Sequence, residues 1–275
     1  MFLFYNYFEE YEFRCNDIER GYVMKYNLMK VTYWFNEIEN VKEYQSILDK
    51  ELNDIFSPFN LVGIPANLDS SIPRITTVTF NGHTTFNMSK INVQITTRFD
   101  GEFITNFENC YNYVKEKAEK VYDVLINECK LNILYMAISM NSELEDHNPV
   151  KKIVKNIFNN ELKERNFSEV GVKLSEKIDD KYYFITTIND AKIVSFTKKI
   201  EQGVKNQSII IPLISEKDVT IEKNVLSFDI EINDRCSFNL YSNYTTKKDT
   251  LNGMFDIFVL KIKELSKNIS NDKLI

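Results

Sequence analysis

Glycine is scarce: seven residues in 275, none adjacent to another. That excludes the glycine-rich loops with which phosphate-binding folds approach a nucleotide by backbone alone. No Gly-x-Ser-x-Gly elbow for a nucleophilic serine occurs either. The four cysteines, Cys15, Cys110, Cys129 and Cys236, have no short spacing, so neither a disulfide framework nor a zinc site follows from them. Histidine is limited to His83 and His147. No window approaches the roughly 18 uninterrupted apolar residues of a membrane span. Met1-Phe2-Leu3-Phe4-Tyr5 is too short and lacks the basic flank of a signal peptide. Positive charge is also in deficit, with a net charge of −6, whereas non-specific nucleic-acid binding needs a dense basic surface to displace counterions. A soluble cytoplasmic protein without a cofactor is the expectation.

Apolar residues make up 43% of the chain and aromatics 13%, enough for a substantial core. Abundant lysine, asparagine and isoleucine reflect the coding bias of an AT-rich genome, that of a low-GC bacterium or its phage. Residues 1–23 are aromatic and acidic without a clean period, as in an N-terminal arm. Glu19-Arg20-Gly21 upstream of Met24 also has the look of a translated ribosome-binding site, which would put the natural start at Met24 or Met29.

The clearest pattern lies between Pro73 and Cys129. Ile75, Val78 and Phe80 precede Asn81-Gly82, and Thr85, Phe86 and Met88 follow, predicting a two-residue hairpin turn of the kind Asn-Gly tolerates. After Met88 the apolar phase moves by one, to Ile91, Val93, Ile95 and Phe99. A turn or bulge at Ser89-Lys90 accounts for that slip and makes a three-strand meander. Thr105 and Glu108 read as a capping box. Beyond them Cys110, Val114, Ala118, Val121 and Leu125 recur at helical spacing.

Upstream, Met29, Val31, Tyr33 and Phe35 alternate as a strand, with Leu28 and Trp34 apolar on its other face, as in a strand covered on both sides. Asn40 and Glu43 mark a helix running toward Pro58. Downstream, Leu131 to Ile138 reads as an interior strand, Asn141 to Asn148 as an acidic loop, and Asn148-Pro149 as the start of a helix whose Lys151, Lys152 and Lys155 form a solvated face. Short strands then follow at Val170 to Leu174, Tyr182 to Ile188, Ala191 to Phe196 across an Asn189-Asp190 turn, Ser208 to Ile214, Val219 to Ile221 and Val225 to Ile232. A last helix spans Thr246 to Ile269. The expected fold is α+β: antiparallel sheets with long amphipathic helices packed on one face, in two similar halves, residues 24–148 and 149–275.

Several strings occur in a familiar order: Pro73-Arg74-Ile75, a turn with Gly82, a strand ending in Arg98-Phe99, an Asn106-Phe107-Glu108 helix entry, and Val225-Leu226-Ser227-Phe228-Asp229-Ile230 before a long helix. Over residues 28 to 267 this layout resembles a sporadically distributed family of uncharacterised bacterial proteins. That family has no agreed activity or catalytic set, so the resemblance carries over no site residue. Its sporadic distribution implies a defence-type or toxin-neutralising locus.

Candidate chemistry is sparse. Arg74 and Arg98 are candidate anion-binding guanidinium groups that would meet on neighbouring strands, and His83 is a candidate base or ligand at a hairpin tip. Glu143, Glu145, Asp146 and His147 gather donors for a divalent cation, but without the glycine and regular spacing of a calcium loop. Asp229 and Glu231 alternate on one strand face with Asp234 beyond, like the paired acids of metal-dependent nucleases, with Asn233 where such a site wants lysine. Tyr111, Tyr113, Tyr182, Tyr183, Tyr241 and Tyr244 form an aromatic surplus suited to an interface. The reading favoured by these features is a non-enzymatic binding or assembly protein that contacts another protein or a second copy of itself. The alternative is a metal-dependent enzyme acting on nucleic acid or nucleotide, with the acidic loop, Asp229 and Glu231 as ligands.

Overall fold

The computed structural model describes residues 23–65, 67–158, 165, 167–196 and 219–274. Residues 1–22 of the expected 1–23 arm, Cys15 among them, and the expected strand at Ser208 to Ile214 lie outside the described residues. Among the described residues nine strands form one antiparallel sheet, accompanied by helices, so the fold is α+β.

In chain order the elements are β1 (Met24–Phe35), α1 (Gln45–Glu51), β2 (Asn60–Leu61), β3 (Ile75–Val78), β4 (Thr84–Met88), β5 (Asn92–Arg98) and α2 (Phe107–Asn127). Then come β6 (Ile133–Glu145), α3 (Pro149–Ile157), β7 (Gly171–Ile178), β8 (Tyr182–Phe196), β9 (Val219–Asn233), α4 (Arg235–Leu240) and α5 (Lys248–Ser270). Across the sheet the strands run β2-β3-β4-β5-β1-β6-β9-β8-β7. The central pair is therefore β1 and β6.

The β3-β4-β5 meander forms where alternation predicts it, and Ser89 explains the slip in phase. Its hydroxyl accepts from the amides of Ile91 and Asn92, closing the turn that sets Met88 opposite Val93. The Asn81-Gly82 hairpin is longer than a two-residue turn. Val78 faces Thr85, Thr79 donates from its amide to the Thr84 carbonyl, and only Gly82, at φ 74°, takes the left-handed conformation. The Asn81 side chain instead accepts from the Thr79 hydroxyl at 2.6 Å, a local bond that competes with the mirror-image turn.

Helix entries differ in the same local way. The cap of α2 is Asn106, whose side chain accepts from the Asn109 amide at 3.1 Å, not the Thr105–Glu108 box. Asn40 makes no cap bond to the backbone but donates to the Glu43 carboxylate. The segment that follows is a 3-10 turn and then the short α1, with Val41, Leu48, Leu52 and Phe56 still buried.

Three strands outrun their sequence signals. The strand begun at Ile133 continues to Glu145, so Glu143 and Glu145 are strand residues and the connection to α3 is only Asp146 to Asn148. Asn189-Asp190 is no turn: β8 passes straight through it, and the Asp190 carboxylate accepts from the Val170 amide at 2.7 Å. Strand β9 likewise absorbs both Val219 to Ile221 and Val225 to Ile232, with a register shift opposite Ile193 and Val194. Long partners on both sides supply the ladder bonds that hold polar residues in extended backbone.

Alternation divides each central strand. Met29, Val31 and Tyr33 of β1, Val93 and Ile95 of β5, Ile138 of β6 and Phe228, Ile230 and Ile232 of β9 are essentially inaccessible. Helical residues meet this set: the Tyr33 hydroxyl donates to the Ala118 carbonyl of α2 at 2.8 Å, and the Tyr26 ring lies against Phe107. Lys261 of α5 sits over the Phe184 ring. The two long helices also touch, Tyr111 against Phe255. Leu28 and Trp34 are only partly buried, so β1 is not covered on both sides as their apolar character predicts. Lys152 departs from the solvated face expected of α3: it is buried and paired with Asp146 at 3.5 Å and Asp272 at 3.4 Å.

Candidate binding face

The interleaved set of strand residues is polar and mostly half-exposed. Register places it in rows across the middle of the sheet. One row runs Thr96, Lys30, Ser139, Glu231 and the next Arg98, Leu28, Asn141, Asp229. Asn141 stitches the second row together, donating to Asp229 Oδ1 at 2.8 Å and accepting from Asn27 at 3.3 Å. In the first, Glu231 accepts from Asn233 at 2.7 Å.

Aromatic rings cluster at one end of this face. Trp34 and Tyr135, opposite each other on β1 and β6, stack with centroids 4.7 Å apart and planes 17° from parallel. Phe238 of α4 packs on Tyr135 at 5.1 Å, and the Arg235 guanidinium lies 5.8 Å from the same ring. Half-exposed aromatics beside an arginine are enriched in protein interfaces. Sequence reading misses this cluster because Trp34 and Tyr135 pass for core residues of interior strands. The signal was the opposite phase: Tyr135, Ser139, Asn141 and Glu143 alternate against Met136, Ile138, Met140 and Leu144.

The predicted residues divide into two groups. Arg98 is exposed at the end of β5 and its amide donates to the His83 carbonyl at 2.9 Å, while the His83 ring lies 3.7 Å from Asp100. Arg74 does not join them. It precedes β3 at the opposite end of the strands, and its guanidinium donates to the Leu68 carbonyl at 3.2 Å, holding the 62–73 loop. The five-residue offset between the Val93 and Arg98 ends of β5 separates these groups by roughly 17 Å at the usual strand rise.

Glu143 and Glu145 share the polar face, but Glu145 pairs with Lys223 at 3.0 Å, which holds its carboxyl below its ordinary pKa. Asp146 turns away to Lys152, and the Asn148 amide donates to it at 2.8 Å. Among the described residues no group of three or more His, Cys, Asp or Glu is placed to hold a metal ion.

Asp234 does not share the face with Asp229 and Glu231. It is fully buried just beyond β9 and accepts from the Met136 amide at 2.7 Å, Tyr244 at 2.8 Å and Thr246 at 2.5 Å. Burial pushes its carboxyl up from the ordinary value against those bonds, and burial also raises Tyr244 and Tyr182. A cleft of about 480 Å³ opens beside this knot, lined by Tyr182, Tyr241, Tyr244 and Asp249 among others. The Tyr182 and Tyr244 phenols are held protonated, and Tyr244 donates to Asp234. The Cys110 and Cys129 thiols, pushed up to about 12 by burial, are inert core groups.

The expected tyrosine surplus is thus largely accounted for inside the fold. Tyr111 packs on Phe255, Tyr113 bonds Asn81, and Tyr182 is buried, leaving Tyr183 and Tyr241 toward solvent. No helix among the described residues is long and apolar enough to cross a membrane. Compared with known proteins, the chain matches no family model and no curated sequence.

Proposed function

We propose that this chain is a non-enzymatic binding or assembly protein of the bacterial cytoplasm, encoded in a defence-type locus, that binds through the polar face of its sheet. In this reading the series β1 to α2 and β6 to α5 are two versions of one unit. The long helices α2 and α5 back the sheet on the buried side and leave the other side for a partner. The observation that carries the reading is the half-exposed Trp34–Tyr135 stack beside Arg235, set among rows of amide, hydroxyl and charged side chains. A solvated sheet face is ordinary in antiparallel proteins. Large stacked rings left partly in water on that face are not, because covering their remaining apolar surface is favourable.

Photo-crosslinking in the native host tests it. A benzophenone amino acid in place of Thr96 is expected to give a discrete adduct, competed away by unlabelled protein. The same group in place of Glu116, exposed on α2, is expected to give none. Adducts from the helix side, or none from either position, would count against the reading.

A further inference from the structure

The polar face is bipolar, and this bears on what it binds. On β5 and β1 it carries Lys25, Lys30 and Arg98 without a single carboxylate; on β6 and β9 it carries Glu143, Glu145, Asp229 and Glu231 against one cation, Lys223, which is paired to Glu145. Only Glu145 among these acids has an ion-pair partner, and neither Lys30 nor Arg98 has one among the described residues. The line between the two signs runs between β1 and β6, at the centre of the sheet.

Resting on the reading that this face is the contact surface, we infer that its partner is a second copy of this chain. Both copies would be laid face to face about a two-fold axis parallel to the strands along the β1–β6 line. An isologous contact requires a patch complementary to itself. An axis across the strands would set β1 on β1 and β5 on β5, cation against cation. The axis along the strands sets β5 and β1 of one copy over β9 and β6 of the other, cation against acid.

Register then names the pairs. In the row Arg98, Leu28, Asn141, Asp229, rotation about the centre brings Arg98 of each copy over Asp229 of the other. In the row beside it Lys30 comes over Ser139 and within reach of Glu231. Packed sheets cross at about 30° and stand about 10 Å apart, so contact concentrates on the four central strands, where long side chains span the gap. Two exposed charge pairs related by symmetry, with little apolar area, give a dimer that salt weakens, since in about 1 M salt charges are screened beyond about 3 Å.

Sedimentation equilibrium on the full chain tests the inference. The wild type is expected to dimerise at low salt and dissociate at high salt. Arg98→Asp and Asp229→Arg, both at exposed positions, are each expected to raise the dimer dissociation constant at least about tenfold, because each turns two attractions into two repulsions. The double variant R98D/D229R restores opposite signs across the axis and is expected to dimerise like wild type, a rescue that a merely structural role would not produce. Circular dichroism melts confirm folding of each variant, with Lys30→Glu as a second single reversal if one fails. A wild type that stays monomeric at low salt, a dimer indifferent to the single reversals, or a double variant without rescue overturns the inference. If the Thr96 crosslink then forms to a different protein, the binding-face reading stands and only the identity of the partner is wrong.

Discussion

The residue that carries most on its own is Asp234, a carboxylate with no exposure and three donors from two separate segments. It ties the start of β6 to the chain between α4 and α5. Asp234→Ala would orphan the Met136 amide and the Tyr244 and Thr246 hydroxyls, and is expected to cost on the order of 3–4 kcal/mol. Asp234→Asn keeps one acceptor and lets the two hydroxyls reorient, so its loss in a urea titration should be smaller. Dependence on pH separates the charge from the bonds. Burial raises the folded pKa above the unfolded value of 3.8, so the unfolded chain ionises first as pH rises. The contribution of this group is full below the unfolded pKa and is lost as pH climbs through the folded one. The asparagine variant is expected to lack that decline, giving a flatter stability profile between the unfolded pKa and the raised folded one. A decline equal to wild type would assign it to other groups. Nothing in the sequence marked Asp234 for this part, since its donors arrive from residues 98 positions before it and up to 12 after it.

At the scale of the element, local chemistry decides details that periodicity leaves open. Helix α2 is evident from its apolar stripe, but two residues compete for its cap, and Asn106 wins because its side chain reaches the Asn109 amide. Asn106→Ala is therefore expected to lower stability by about 1 kcal/mol, and Thr105→Ala to leave it nearly unchanged, read as the urea midpoint. The reverse order would reinstate the Thr105 box. Elements with one buried face were readable in this way: Val93 and Ile95 announce β5, and Leu251, Met254, Phe255 and Phe258 announce α5. Strands whose ends depend on a partner were not. The polar stretches Asn141 to Glu145, Asn189-Asp190 and Glu222 to Asn224 read as breaks, because their extended backbone is held by ladder bonds from strands distant in sequence. The candidate face was legible only in single residues for the same reason. Arg98, Asp229 and Glu231 stand out singly in the sequence and Lys30 does not, and they become one surface only when register sets β5, β1, β6 and β9 side by side.

Across the whole molecule, the division at residue 148 separates strands that the sheet joins. Strand β6 pairs along most of its length with β1, from Met24 opposite Leu144 to Phe35 opposite Ile133, and on its other side with β9. The helical layer repeats the connection, with the Tyr122 hydroxyl of α2 donating to the Thr246 carbonyl at 2.8 Å and Tyr111 edge-on to Phe255. Buried residues from β3 at one side to β8 at the other belong to a single apolar cluster. Cutting such a cluster anywhere exposes both a strand edge and core surface, each unfavourable in water. Neither half then has a stable state once the other unfolds, and the described fold is expected to melt as one cooperative unit. Trp34, the single tryptophan, reports on β1, while hydrogen exchange at the buried amides of β8 and β9 reports on the other side of the sheet. Fluorescence and exchange are expected to return the same unfolding free energy within experimental error, because both probes then see only global opening. Separate transitions, with β8 and β9 exchanging through a smaller opening while Trp34 keeps its native emission, would show two independently stable halves whose shared sheet is a docking contact and not a common core.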